Sequence, residues 1–206
     1  RVASRGLGDV YKRQIQYWKL ESPEQKNIIT NENDATETIE YLLKESIEKR
    51  LSASDIDVGV LLSGGLDSSM IVALAKEKFP KLKTYSIGFE DDKEEKGNEF
   101  LYSDQVVKKY KTDHKKFIID NTLVLSKLPK AFEAMSEPMV AQDAIAFYML
   151  SELVRKDVKV ILSGQGADEG FAGYFWYNKI NLEKNDHINF LKHYVDRNED
   201  ELNEFL

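Results

Sequence analysis

The chain has no cysteine in its 206 residues, which removes disulfides and thiolate metal sites and is compatible with a reducing compartment. Histidine is scarce. Its three copies, His114, His187 and His193, make no metal-ligand pattern with a third residue. No apolar run approaches the roughly 20 residues of a membrane-spanning helix, and no signal peptide is recognisable. Positive charge is nowhere concentrated: the net charge is −7 and no basic patch stands out, so a nucleic-acid surface is not expected. The expected location is the cytoplasm. What remains is 42% hydrophobic and 32% charged residues, a soluble globular balance in a chain long enough for one sheet between two helical layers.

The stretch that organises the chain is Ser63-Gly64-Gly65-Leu66-Asp67-Ser68-Ser69. It follows the apolar run Val58-Gly59-Val60-Leu61-Leu62 and precedes Met70-Ile71-Val72-Ala73-Leu74-Ala75, so it reads as strand, glycine loop, helix. A helix start offers unpaired N–H groups and the positive end of its dipole. Glycines let a ligand come close to the backbone, and the hydroxyls of Ser63, Ser68 and Ser69 add donors. This chemistry suits a phosphate or pyrophosphate. Asp67 would repel such a ligand unless a cation lay between, and Mg²⁺ resolves the conflict. The Gly-Lys-Ser/Thr signature of a Walker loop is missing. Simple helix capping by Asp67 and the serines is the plainer explanation, but it accounts for one or two polar residues and not for this cluster.

Elsewhere, strands alternate with helices. Residues 34–37 resemble a capping box before an amphipathic helix over residues 35–52, with Ile39, Leu42, Leu43, Ile47 and Leu51 at helical spacing. Residues 82–89 read as a second strand, 90–98 as an acidic mobile loop and 100–110 as a helix. Residues 116–120 read as a third strand, and Asn121 or Thr122 as the cap of a helix running to Met135. Ser136-Glu137-Pro138 breaks that helix, and Glu137-Pro138 either ends a loop or shapes the acid-binding side of a pocket. Residues 143–155 form a further helix, and Val158–Leu162 a fourth strand entering Ser163-Gly164-Gln165-Gly166-Ala167-Asp168-Glu169. Residues 185–204 are expected to be helical.

This alternation predicts an α/β fold with a doubly wound parallel sheet and helices on both faces. In such sheets ligands bind beyond the carboxyl ends of the strands. Both glycine loops reach that edge, and Asp168 is expected opposite Asp67 as a joint Mg²⁺ ligand. The alternative is that Asp168 and Glu169 merely cap the next helix. His114 is expected to be structural. The cluster Phe171, Tyr174, Phe175, Trp176 and Tyr177 is expected in the core or a domain interface rather than as a base-stacking platform.

The Ser63–Ser69 motif after Val58–Leu62 resembles the pyrophosphate-binding loop of the ATP pyrophosphatases, which have the adenine nucleotide alpha hydrolase-like fold. More narrowly, it is similar to the synthetase domain of glutamine-dependent asparagine synthetases. Tyr85-Ser86-Ile87-Gly88-Phe89 resembles that family's second strand, residues 161–169 with Phe171-Ala172-Gly173-Tyr174 its second signature, and Tyr17-Trp18 its entering linker.

The resemblance implies that MgATP adenylates the aspartate side-chain carboxylate and that ammonia, released from glutamine in the full-length protein, displaces AMP to give asparagine. By matching positions, Leu61 and Ile87 would contact adenosine through backbone groups, and Ser163 and Gly164 would meet the nucleotide. Ser63, Gly64, Gly65, Asp67, Ser68 and Ser69 would hold the pyrophosphate. Asp67, Asp168 and Gln165 would be the catalytic positions. Gln165 stands where some members carry a glutamate credited with forming or capturing the adenylate, and other members carry glutamine.

The family's transition-state lysine is expected beyond Leu206, and its N-terminal glutaminase domain, with a nucleophilic cysteine, is expected to lie outside this segment as well. Residues 1–14 are expected to be a sequencing scar, 15–33 a linker, and 34–206 a synthetase domain truncated at its C-terminus. Such a fragment would bind MgATP better than it turns it over. A homodimer is compatible with the resemblance. Other acceptors stay open, with β-lactam or macrolactam cyclases and sugar or peptide amidotransferases in the same superfamily, as does a nucleotide-binding module without turnover.

Overall fold

Four runs rich in β-branched and aromatic residues form one parallel sheet in the order β3-β2-β1-β4. These are β1 (Val58–Leu61), β2 (Lys83–Phe89), β3 (Asp113–Ile119) and β4 (Val160–Leu162). The structure, a computed structural model, describes residues 15–19, 27–90, 100–136, 143–180 and 187–194. Its contacts divide the chain into Arg1–Tyr41 and Leu42–Leu206, and the sheet with both glycine loops lies wholly in the second unit. β1 is central, with Gly59 paired to Lys83 on one side and to Ile161 on the other. The chain winds outward from β1 through β2 and β3, then returns to add β4 on the opposite side. The strand order therefore reverses between β1 and β4, the switch point at which doubly wound sheets bind ligands.

The helices are α1 (Glu32–Ser52), α2 (Leu66–Lys78), α3 (Phe100–Tyr110), α4 (Asn121–Ala134), α5 (Asp143–Val154), α6 (Ala167–Phe171) and α7 (His187–Tyr194), with a 3₁₀ turn at Phe175–Lys179. Alternation along β1 sends Val60 and Leu62 to one face, where they meet Ile47 and Leu51 of α1 and Val72 and Ala75 of α2. Val106, Val107 and Tyr110 of α3 border the same cluster. On the other face Tyr85 packs with Leu150, Val154 and Val158, bordered by Leu61, Ile87, Phe117 and Ile161. The α4 helix lies beside α5. Helices thus cover both faces, as the alternation predicts. Full burial of one such side chain stabilises by roughly 1.5–3 kcal/mol, so the strands and helices hold the frame and the loops inherit their positions from it.

Several local details differ from the sequence reading. The cap of α1 is Asn31, whose Oδ1 accepts from the Asp34 N–H at 3.1 Å, and not Asp34 itself. Only Ile47 and Leu51 of the expected α1 stripe are buried, while Ile39 and Leu42 are 38% and 53% exposed. β3 starts three residues early, pairing Asp113 to Lys83 through to Ile119 with Phe89. Its polar start hid it, because β3 is an edge strand whose Lys115 and Lys116 pair with Asp157 and Asp104 rather than entering a core. Asp120, expected as the end of that strand, is instead the cap of α4. Its carboxylate accepts from Thr122 N at 2.8 Å and Thr122 Oγ1 at 2.7 Å. A carboxylate accepts more strongly than an amide or hydroxyl and complements the helix dipole.

The expected scar, most of the acidic loop at 91–98, Glu137-Pro138 and the ends of the 185–204 helix lie outside the described residues. Residues 15–19 have no regular structure, and Tyr17 and Trp18 are 97% and 68% exposed. Among the described residues no helix is long and apolar enough to cross a membrane.

His114 is structural, at the amino end of β3 and away from the glycine loops. Its Nδ1 lies 2.9 Å from Oγ1 of the fully buried Thr84, which also bonds Thr112 Oγ1 at 2.8 Å. Burial, aided by Lys116, holds its pKa below the ordinary 6.5. For a base with a depressed folded value, the unfolded chain binds the proton more readily. Its contribution is therefore complete above 6.5 and is lost as pH falls below it. Urea midpoints should decline from about pH 7 to about pH 5.5 in the parent protein and less steeply in His114→Gln. An equal slope in both would exclude His114 as the cause. Asp120 has its pKa lowered by the Thr122 hydroxyl and N–H, so its cap acts above the ordinary 3.8 and fails on acidification. Asp120→Ala should therefore lower the thermal midpoint at neutral pH, and the difference should shrink below about pH 3.8.

Candidate functional site

The first loop begins while the chain is still tied to the sheet. Leu62 N donates to Tyr85 O at 2.8 Å, and Leu62 O accepts from the buried Ser86 hydroxyl. The turn is then made at Gly64, whose φ of +96° lies in the left-handed region that favours glycine. A Cβ there would also land 2.5 Å from Ser103 N and 2.6 Å from Tyr102 Cβ. A Cβ at Gly65, in contrast, would meet Ser63 Oγ at 3.4 Å, an ordinary contact. Gly64 is glycine because α3 lies against it.

Two hydroxyls then stitch the loop. Ser63 Oγ accepts from Gly65 N at 3.2 Å, Ser68 Oγ accepts from Gly64 N at 3.3 Å, and the two oxygens are 3.0 Å apart. The first intrahelical bond of α2 runs from Ser69 N to Gly65 O at 3.1 Å. The N–H groups of Leu66, Asp67 and Ser68 therefore precede it, at a helix start that no side chain caps. Ser69 differs from the expectation: its hydroxyl is buried without a hydrogen-bond partner and does not reach the cleft.

The second loop repeats the device. Ser163, directly after β4, accepts from Gln165 N at 3.3 Å, as Ser63 does from Gly65. Gly164 lies against the first turn of α2: a Cβ on it would sit 3.0 Å from Asp67 Cβ and 3.2 Å from Ser68 N. The two loops are in contact.

Between them opens a cleft of about 290 Å³. Of the residues singled out in the sequence it brings together Leu61, Ser63, Gly65, Asp67, Ser68, Ile87, Ser163, Gly164, Gln165 and Asp168, and leaves out Gly64 and Ser69. It adds Leu62, Tyr85, Ser86, Phe147 and Leu150. Leu61, Ile87, Phe147 and Leu150 are the apolar part of its lining, beside the polar residues of the loops. Sequence reasoning missed Phe147 because helical spacing shows a buried face but not which end of the helix meets the strand tips. Ser86 left one trace, a small hydroxyl residue inside an otherwise apolar strand.

Asp67 and Asp168 border the same cleft, and among the described residues neither carboxylate is engaged in a hydrogen bond or ion pair. Capping does not account for them, since the N-caps of α2 and α6 are Gly65 and Gly166. The neighbouring Glu169 is used differently. Tyr174 Oη donates to its Oε1 at 2.7 Å, which holds the Glu169 pKa below the carboxylate range and pushes the tyrosine up to about 12.

The aromatic cluster does not line the cleft and is not core as a whole. Tyr174 and Trp176 stack at 4.1 Å and Tyr194 of α7 meets Trp176 edge-on, but Phe171 and Phe175 are 60% and 67% exposed.

The description "Asparagine synthase" belongs to the family whose profile matches residues 38–204. Asparagine synthetase (glutamine-hydrolyzing) 1 of Bacillus subtilis is 33% identical over 154 residues, covering 75% of this chain and 24% of that protein. Asparagine synthetase (glutamine-hydrolyzing) 3 of the same organism is 31% identical over 179 residues, covering 81% and 28%. The chain thus spans about a quarter of the length of these relatives. Among solved structures, the NH3-dependent NAD synthetase of Campylobacter jejuni superposes with a TM-score of 0.48 at 16% identity, over 67% of this chain and 60% of that one. With four-fifths of its length matched, from α1 through both glycine loops, the chain belongs to the asparagine synthase family.

Proposed function

We propose that this chain is the synthetase part of an ATP-dependent, amide-forming ligase that makes asparagine from aspartate. The reading is carried by the contact of the second glycine loop with the first turn of α2, which sets two unengaged carboxylates on one cleft. The apolar lining of Leu61, Ile87, Phe147 and Leu150 suits the adenine ring, with backbone groups at Leu61 and Ile87 to recognise it. The open N–H groups at the start of α2, with Gly65, Ser63 and Ser68, suit the phosphates, and Ser163 and Gly164 close on the nucleotide from the other side. Gln165 lies on the second loop and would face the acceptor.

Asp67 and Asp168 would hold Mg²⁺. Among the described residues no group of three or more His, Asp or Glu forms a ready-made cage, which suits an ion that takes its other ligands from phosphates and water. When bound, that ion neutralises charge on the departing pyrophosphate. The chain's own part is to hold the α-phosphorus in line with a carboxylate oxygen of aspartate and to keep bulk water off the mixed anhydride. The carboxylate oxygen bonds the α-phosphorus as pyrophosphate leaves. Ammonia then attacks the acyl carbon, AMP leaves with the bonding pair, and a proton is lost to give the amide. In the full-length protein we assign the ammonia supply to an N-terminal glutaminase domain.

Two measurements on the full-length protein test this. Aspartate should drive pyrophosphate release from ATP. Release driven only by a different carboxylic acid would move the assignment to another acceptor, and ATP binding with no release would make the protein a nucleotide-binding module. Asp67→Asn should weaken MgATP binding about tenfold or more, roughly 1.4 kcal/mol, with an unchanged circular dichroism spectrum. Parent-like affinity would remove Asp67 from the metal site.

A further inference from the structure

The α6 helix is folded back on its own beginning. Ala172 adopts a left-handed conformation (φ 55°, ψ 41°), and its N–H returns to Asp168 O, as does that of Gly173 at 3.0 Å. Residue 173 is thereby laid over residue 168. A Cβ added to Gly173 would overlap Asp168 Oδ1 and lie 3.0 Å from its Cγ and 3.3 Å from its Cα. The space that any side chain at 173 would fill is occupied by the Asp168 carboxylate. Backbone conformation does not require the glycine: among the described glycines, positive φ is found at Gly64 and Gly166 only. The next residue treats the neighbouring acid in the opposite way, since Tyr174 engages Glu169 at 2.7 Å. Gly173-Tyr174 therefore sorts two adjacent carboxylates, leaving one open to the cleft and tying the other to a phenol.

We propose that Gly173 is a positioning residue: the missing side chain sets the rotamer in which Asp168 presents its carboxylate to the cleft. This rests on the reading of Asp168 as a Mg²⁺ ligand. Residues that orient a ligand carry much of a metal site's affinity, and their loss typically costs about 10–100-fold. Gly173 would act by exclusion, since any Cβ pushes the carboxylate into another rotamer while leaving the left-handed turn at Ala172 and its two N–H bonds in place.

The experiment measures ATP binding by the full-length protein as Mg²⁺ is titrated, in the parent, Gly173→Ala, Asp168→Ala and the double variant. Gly173→Ala should raise the Mg²⁺ concentration for half-maximal binding about tenfold, while ATP affinity without Mg²⁺ and the thermal midpoint stay at parent values. In the Asp168→Ala background the same substitution should shift nothing further, because no carboxylate remains to displace. A shift of equal size in both backgrounds would mean general distortion of the loop and would overturn the proposal. So would an unshifted Gly173→Ala beside a shifted Asp168→Ala. If Asp168→Ala itself leaves the Mg²⁺ requirement unchanged, the metal role of Asp168 fails, and the positioning role fails with it.

Discussion

The packing of Gly164 on the first turn of α2 is the contact on which the site depends. Each glycine loop alone is an ordinary exit from a strand. With a Cβ-sized gap between Gly164 and Asp67 absent, the loops share one cleft, and the carboxylates that follow them border the same volume. The sheet makes this possible. β1 and β4 are adjacent and parallel, with Val60 opposite Leu162, so their carboxyl ends finish within one residue of each other and their loops leave side by side. Charge pairs elsewhere brace the amino edge instead: Lys83 pairs with Asp57 at 2.7 Å and Lys115 with Asp157, so the edge that carries the cleft is left unbridged by them.

The cleft divides its chemistry by secondary structure. Strand tips and α5 supply carbon, through Leu61, Ile87, Phe147 and Leu150. The loops supply hydroxyls, backbone donors and carboxylates. A nucleotide has the same division, a flat apolar base at one end and a polyanion at the other. The polar end is also organised in a hierarchy. Ser86 fixes the carbonyl of Leu62, the Ser63 and Ser68 hydroxyls fix the N–H groups of Gly65 and Gly64, and only then does the helix begin.

Much of this was legible in the residues, because glycine, serine and aspartate after an apolar run declare both a turn and a chemistry. The succession of strand, loop and helix and both glycine loops could be read for that reason. What was not legible depends on which surfaces meet. Gly64 is legible as part of a glycine loop, but that Tyr102-Ser103, distant in sequence, lies against it is not. Phe147 lies one helical turn from Leu150 on α5, yet no periodicity says that this turn reaches the strand tips. Asp120 sits where a strand ends and a helix starts, and only the hydrogen bond to Thr122 decides between them. Gly173 reads as one more turn glycine until the oxygen of Asp168 is found in its place.

The stitched serines of the first loop have a kinetic consequence. Because Ser63 and Ser68 already satisfy the glycine N–H groups, the loop that we propose for a polyanion has its shape before anything arrives. A ligand entering it freezes little chain, so the ordering entropy that usually opposes capture by a flexible loop is largely spared. On the proposed reading, association would run close to the rate of a rigid docking event, and differences in affinity among related nucleotides would fall mainly on how fast they leave.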